Sequence, residues 1–501
     1  MHGNWYYNLF RIAKVELLLI FEPLASCLKP KILYLKFSRN YYSVERFHET
    51  SLLWSNKVKI AVIIRQHMRC FSKIYQMFII VKWKRFQVFA ILGLILTFLI
   101  GCNTPYPNLK TKEIEFWTIQ LQPQFTNYFN RLIADFEADN PGLSVRWVDV
   151  PWSEMESKIE SAILTETLPD VVNLNSSFAH LLTEPNAWLN LDTILSDSVK
   201  NEYLSNLWQA SQINGKSFAI PWYCRTNITI YNSELFKQAE VDQPPTNYTE
   251  LAKVAKQIKE RTDKYAFFVS FSPQGGNEVL ESFPKMGVKL IDVDGKAAFN
   301  TPVGKEVFKY WVDLYREGLL PEEVLTQGIQ AGEDLYQAGE IAMVFSGTEL
   351  IEAISENTPE IGKVSLPTSQ ITGKSNKNSL VLMNFAISSN TKLPDKALKF
   401  ALFITNHQNQ MAFAQETNVL PSTIKTLENS YFQNIPDDAS SQDQARVISA
   451  SQIFDAEVLL PSVKNLDKLK EIIYQNLQVT ILGEKTIEQA IADAASEWNK
   501  L

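Results

Sequence analysis

Three side chains within four residues, Trp222, Tyr223 and Arg225, put two flat aromatic rings beside a permanent cation. Rings of this kind can cover the C–H face of a polyhydroxylated ligand. A guanidinium with five donors can bind its hydroxyl edge, or a carboxylate or phosphate, in bidentate fashion. The plainer use of Arg225 is an ion pair with a carboxylate. Neutral hydrogen-bonding groups occur in two further clusters, Gln120 with Gln122, and Asn175 with Ser176 and Ser177. Each suits a hydroxylated ligand, and each could equally be a solvated loop or a helix cap. Trp117 reads more as core than as a ligand platform, whereas Trp152 could line a cleft or cover a strand. Nucleophilic and metal chemistry find little to rest on. The four cysteines (Cys27, Cys70, Cys102, Cys224) show no C-x-x-C spacing, the five histidines form no H-E-x-x-H, and G-x-S-x-G and a P-loop are missing. His180 and His407 fall in separate helical contexts.

The elements that must position these groups follow from hydrophobic periodicity. Glu113 to Thr118 alternates as a strand, and Phe125, Phe129, Leu132, Ile133 and Phe136 recur at helical spacing until Asn140-Pro141-Gly142 stops the helix. Ser144 to Val150 reads as a second strand. Ser153-Glu-Met-Glu156 has the pattern of a capping box opening a helix with Met155, Ile159, Ala162 and Ile163 on one face. Val171 to Leu174 is a short third strand. Alternation of this βαβαβ kind predicts an open parallel sheet with helices on its faces, whose ligands sit at the carboxyl ends of strands. Gln120, Gln122 and Asn175 to Ser177 occupy two such ends. Farther on, helices are predicted at Asn232 to Ala239, Tyr248 to Lys264, Thr301 to Glu317, Asp395 to Asn406, Leu466 to Leu482 and Thr486 to Trp498. Strands are predicted at Ile341 to Phe345 and Leu380 to Ser388.

The 501 residues carry a formal charge of -7, but the charge is unevenly spread. Residues 1–101 hold 15 Lys and Arg against 4 Glu and no Asp, which leaves 33 basic and 51 acidic residues beyond them. An acidic body without a basic stripe argues against nucleic acid as a partner. From Met77, the cations Lys82, Lys84 and Arg85 precede the 15-residue apolar stretch Phe86 to Ile100, a length that suits a signal peptide better than a permanent span. Leu99-Ile100-Gly101-Cys102 resembles the lipobox of bacterial lipoproteins, which implies cleavage before Cys102 and lipid attachment to it; the alternative is an uncleaved anchor helix. Residues 1–76 are then expected to be upstream sequence included in error, or else a basic, membrane-associated extension. Residues 102–110 would be a tether. Once Cys102 is lipidated, Cys224 has no intrachain thiol to pair with.

Eight segments resemble, in order, the extracellular solute-binding proteins of bacterial ABC importers, in the carbohydrate branch that includes maltose-binding protein. They are Glu115-Phe-Trp117, Leu168-Pro-Asp-Val-Val172, Trp188-Leu-Asn-Leu-Asp192, Asn214 to Trp222 with Tyr231-Asn232, Pro244 to Leu251, Tyr336 to Met343, Val419-Leu-Pro421 and Leu482 to Ala490. The resemblance implies an α/β fold of two lobes joined by crossing strands, the type II binding-protein fold, with a ligand cleft between them. By the family's connectivity, residues 110–224 with 380–435 would form one lobe and 225–379 with 436–501 the other. It implies a monomer without cofactor or metal, capturing a sugar or glycoside in the cell envelope, anchored to the membrane by lipid. Permease and ATPase subunits would be its partners. The family places a polar or charged ligand contact where Arg225 stands. It often places a stacking tryptophan where this chain has Glu349, so maltooligosaccharides are disfavoured; Glu349 would accept hydroxyl hydrogens or neutralise Arg225. The competing functions are a ligand-sensing subunit for a membrane receptor and a lipid-anchored glycoside hydrolase using two carboxylates.

Overall fold

A computed structural model describes residues 112–501 except 185 and 274. Cys102, the signal sequence and the upstream segment lie outside the described residues. The elements that build the site are β1 (Lys112–Ile119), α1 (Thr126–Asp139), β2 (Leu143–Val150), α2 (Trp152–Leu164), β3 (Val171–Asn175), β4 (Ala219–Thr226), β5 (Ile228–Asn232), α3 (Tyr248–Thr262) and α4 (Glu278–Lys285). They continue with β6 (Met343–Ser346), α5 (Glu349–Asn357), β7 (Ser365–Thr368), β8 (Asn378–Ile387), β9 (Leu420–Pro421), α6 (Ser441–Gln452) and α7 (Leu466–Ile481).

The larger sheet has the order β9-β4-β8-β3-β1-β2, with Ala456–Glu457 added beside β8. β1 pairs with β2 over its whole length and with β3, both in parallel. The expectation of a parallel sheet holds for these three strands and for the short Ala456–Glu457 beside β8, but β8 itself enters antiparallel between β3 and β4. β3 is buried at every position. A strand covered on both faces loses polar alternation, which is why it reads as a plain apolar run. α1 lays Phe129, Leu132 and Phe136 on the sheet and ends where Asn140 Nδ2 donates to the Phe136 carbonyl at 2.7 Å. Gly142 follows with a φ of 89°, a turn that favours glycine. α2 starts one residue before the expected capping box: Pro151 is its N-cap and no side chain caps it, so Ser153 lies inside the first turn. The proline fixes the entry of the chain where the hydroxyl was expected to do so.

Two main cores result. The first gathers Phe116, Phe129, Met155, Val172, Trp222, Phe385 and Phe400, with a satellite cluster around Cys224, Leu380 and Leu382. The second gathers Ile230, Ile258, Phe283, Trp311, Met343, Ile473 and Trp498 around the three-stranded sheet β6-β5-β7. At about 1.5–3 kcal/mol for each large side chain removed from water, either core is large enough to hold a lobe without disulfides.

The chain passes between the cores at Asn227, between β4 and β5, and again between β7 and β8. α6 contributes Ala445 to the second core and Ala450 to the satellite of the first. Two buried amides bind these passages together. Gln370 donates its backbone N–H to Gln452 Oε1 at 2.8 Å, and Gln452 Nε2 donates to the Asn227 carbonyl at 3.2 Å. Gln370 Oε1 accepts from Ser379 N–H at 2.8 Å, and its Nε2 donates to the Ser379 carbonyl at 3.1 Å.

Candidate functional site

Strand directions bring the sequence clusters to one edge. β4 runs antiparallel to β8, which runs antiparallel to β3, so β4 shares the direction of β3, β1 and β2. The residues after β1 and β3 and the end of β4 therefore emerge on the same side. In the smaller sheet Ser346, at the end of β6, is opposite Ile228, at the start of β5, so the segment leading into α5 adjoins the crossing.

Asp149 organises the first end, and sequence reading passed it over as one more residue of β2. Its Oδ1 accepts from the Thr118 hydroxyl at 2.6 Å and from Leu121 N–H at 3.0 Å, and its Oδ2 accepts from Gln122 N–H at 2.9 Å. An acidic residue among the apolar positions of Val148-Asp149-Val150 was the available signal. The clamp fixes the turn in which Gln120 takes a φ of 49°. Gln120 Oε1 then accepts the Trp152 backbone N–H at 3.3 Å. Trp152 is 43% exposed with one side near Phe178, at a centroid separation of 5.8 Å. It is an exposed ring beside the strand ends. Trp117 is buried, its indole N–H donating to Glu115 at 2.8 Å.

At the second end the side chains are already committed. Asn175 Oδ1 accepts from Phe178 N–H at 3.0 Å and from the Ser177 hydroxyl at 2.5 Å, capping the short helical turn Ser176–Thr183. Ser176 Oγ accepts from Leu382 N–H at 3.4 Å, tying this turn to β8.

The third end corrects one expectation outright. Trp222 is 1% exposed, stacked on Phe385 at 4.5 Å and Phe413 at 4.9 Å, so both ring faces are occupied by protein. The cause is local: the register slips between Met383 and Asn384, leaving Trp222 as the extra residue of a bulge that turns it into the core. Tyr223 is half-buried against Trp222 and Phe413. Burial pushes its hydroxyl up to about 12, with the Arg225 charge opposing, so it is a neutral donor.

Arg225 is exposed, and its Nη1 lies 3.1 Å from Glu349 Oε1 on the other lobe. The two residues named as ligand contacts are thus each other's partners. Glu349, the first residue of α5, folds its carboxylate over Gly347, where an added Cβ would come within 2.2 Å of Oε2. Glu333 stands near this pair; burial first, then Asp334 and Glu349, raise its carboxyl above the usual range. A second bridge joins the lobes where Lys464 Nζ reaches Glu160 of α2 at 2.9 Å. Among the described residues no group of three His, Cys, Asp or Glu is arranged to hold a metal ion, and no helix is long and apolar enough to cross a membrane.

Comparison with known proteins gives the same architecture. A candidate oligosaccharide periplasmic-binding protein of Synechococcus sp. MITs9220 is 37% identical, over 77% of this chain and 98% of that one, with a TM-score of 0.70. The cyclic alpha-maltosyl-1,6-maltose binding protein of Arthrobacter globiformis, 19% identical over 78% of this chain and 98% of its own, shares the fold with a TM-score of 0.67. The galactooligosaccharide-binding protein of Bacillus subtilis (strain 168) is 21% identical over 82% of this chain and 96% of its own. The family described as bacterial extracellular solute-binding protein matches residues 122–411. With strand ends meeting between two lobes and this match over more than half its length, the chain belongs to the bacterial extracellular solute-binding protein family.

Proposed function

We propose that the protein captures a neutral sugar or glycoside between its lobes and delivers it to the permease of an ABC importer. The observation that carries this reading is the edge itself: the open Trp152 ring, the Gln120 and Gln122 amides and the Tyr223 hydroxyl lie on the side where Arg225 meets Glu349. Ring and amides match the C–H faces and hydroxyls of a carbohydrate. Because Glu349 already balances the Arg225 charge, a neutral ligand fits better than a sugar phosphate. Relatives named as binding galactooligosaccharide, diacetylchitobiose and mannitol favour the same class.

A thermal-shift screen against neutral oligosaccharides, glycosides, polyols and sugar phosphates tests the proposal. A ligand at a hundredfold excess over Kd adds about 2.7 kcal/mol of stability. Silence across all carbohydrates refutes the reading, and turnover of one would make the protein a hydrolase. We also propose that Cys102 is lipidated after removal of 77–101, anchoring the protein at the cell envelope as a monomer. The mass of the mature N-terminal peptide decides it.

A further inference from the structure

Away from the strand ends, the second lobe contains a small, open-mouthed cavity of about 40 Å³, with Asn227, Tyr248, Glu278, Glu281, Lys285 and Gln370 among its lining residues. Two of these belong to the passages between the lobes: Asn227 joins β4 to β5, and Gln370 is the buried amide that binds those passages together. Lys285, at the end of α4, is almost fully buried and donates to Gln370 Oε1 at 3.0 Å and to the Ile371 carbonyl at 3.1 Å, with Glu281 at 4.0 Å. Glu278 Oε2, at the start of α4, is covered from solvent and has no hydrogen-bond partner. Its carboxylate rests on Gly276, where an added Cβ would come within 2.1 Å of Oε2. That glycine segment is held in turn by α7, through Lys470 to the Gly275 carbonyl at 3.0 Å and Tyr474 to the Gly276 carbonyl at 2.8 Å.

We propose that Glu278 is a proton switch for lobe closure, protonated when the lobes are drawn together and ionised when they part. A covered, unpartnered carboxylate oxygen is tolerated as a neutral acid far better than as an anion. Rotation about the passages has to move Asn227 and Gln370, hence the cavity wall, and moving that wall admits water to the carboxylate. The arrangement with Arg225–Glu349 and Lys464–Glu160 both formed is the one in which Oε2 is covered, so closure takes up a proton.

The charged and titratable groups facing Glu278 are Glu281 and Lys285 on its own helix, Lys470 and Tyr474 on α7 and Tyr248 on α3. Burial pushes the Glu278 carboxyl up to about 7. Its own backbone N–H opposes this, Glu281 reinforces it, and Lys285 and Lys470 oppose it. Burial also lowers Lys285, with Glu281 and Glu278 holding it up.

The test needs no ligand. Fluorophores attached through non-natural side chains at Leu164 and Val293, exposed positions of the two lobes, report interlobe energy transfer from pH 5.5 to 8.5. The wild-type closed-to-open ratio is expected to be about tenfold higher at pH 6 than at pH 8, the change produced when a carboxyl held at about 7 under cover returns to 4.5 on exposure. Glu278→Gln should be flat across the range. Glu281→Gln, which removes the reinforcing charge, should move the midpoint to lower pH. A flat wild-type response, a Glu278→Gln variant that titrates like the wild type, or an unmoved midpoint in Glu281→Gln overturns the proposal.

Discussion

Breaking the Arg225–Glu349 bridge separates two roles that one pair of residues can play. Both side chains are about half exposed, 51% and 53%, at a separation of 3.1 Å. In water-like surroundings two unit charges so placed attract by about 1 kcal/mol. After the entropy of holding two long side chains, an exposed pair is worth about 0.2–1 kcal/mol. Arg225→Ala and Glu349→Gln should therefore each change unfolding free energy by less than about 1 kcal/mol, and the double variant by no more than either single. A direct hydrogen bond from Arg225 to ligand is charge-assisted and worth about 1.5–3 kcal/mol, so losing it weakens affinity roughly 10- to 150-fold. Isothermal titration of the four proteins of the cycle with whichever carbohydrate raises the melting temperature gives the partition. The expected result is that Arg225→Ala loses at least tenfold in affinity while Glu349→Gln loses less than fivefold. If both lose the same small factor, the pair only bridges the lobes and Arg225 leaves the ligand site. If neither loses affinity, the strand-end location of the site is wrong.

Four further outcomes follow from the same geometry. Asp149→Ala strands the Leu121 and Gln122 N–H groups and the Thr118 hydroxyl, and should lower stability in urea denaturation by about 2–4 kcal/mol while loosening the turn that carries Gln120. Trp222→Ala opens a cavity among Phe129, Phe385 and Phe413 at about 3–5 kcal/mol, whereas Trp152→Ala should stay within about 0.5 kcal/mol in stability and weaken ligand binding. Glu278, with its folded-state carboxyl raised from 4.5 to about 7, favours the fold most below pH 4.5; that advantage falls by about 1.4 kcal/mol per pH unit up to about 7. Denaturation of Glu278→Gln should lack this slope and exceed the wild type at pH 8. Glu160→Gln removes the partner of Lys464, and its interlobe energy transfer should respond less to added salt than the wild type's, since an exposed pair is screened at high ionic strength.

Where one face of an element is buried and its ends are chemically marked, the sequence was readable. Thr301, Asn232 and Thr486 cap helices whose onsets follow directly from their side chains: Thr301 accepts from Gly304 N–H, Asn232 from Leu235 N–H and Thr486 from Gln489 N–H. Pro151 was not read as a cap because its effect lies in a fixed backbone angle, which no side-chain pattern advertises. α6 also escaped, since its buried residues Ala445, Ser449, Ala450 and Gln452 include no large apolar side chain to mark a helical face. The site divided in the same way. Strand-end placement of Gln120 and Asn175 follows from alternation, and an Arg225 carboxylate partner was one of the two readings the residue allowed. Trp222 misled because a single-residue bulge reverses the side a chain presents, and a bulge is a property of two strands, one of them about 160 residues away in β8.

That distance has a consequence for how the molecule is made. β8 lies between β3 and β4, and its contact with Asn173 spans 211 residues of chain. Until residue 387 has emerged, β3 and β4 have no common neighbour, and the first lobe cannot complete its sheet. Contacts this remote form late and slowly. The strand that locks the first lobe is among the last to arrive, so that lobe completes its sheet only near the end of synthesis.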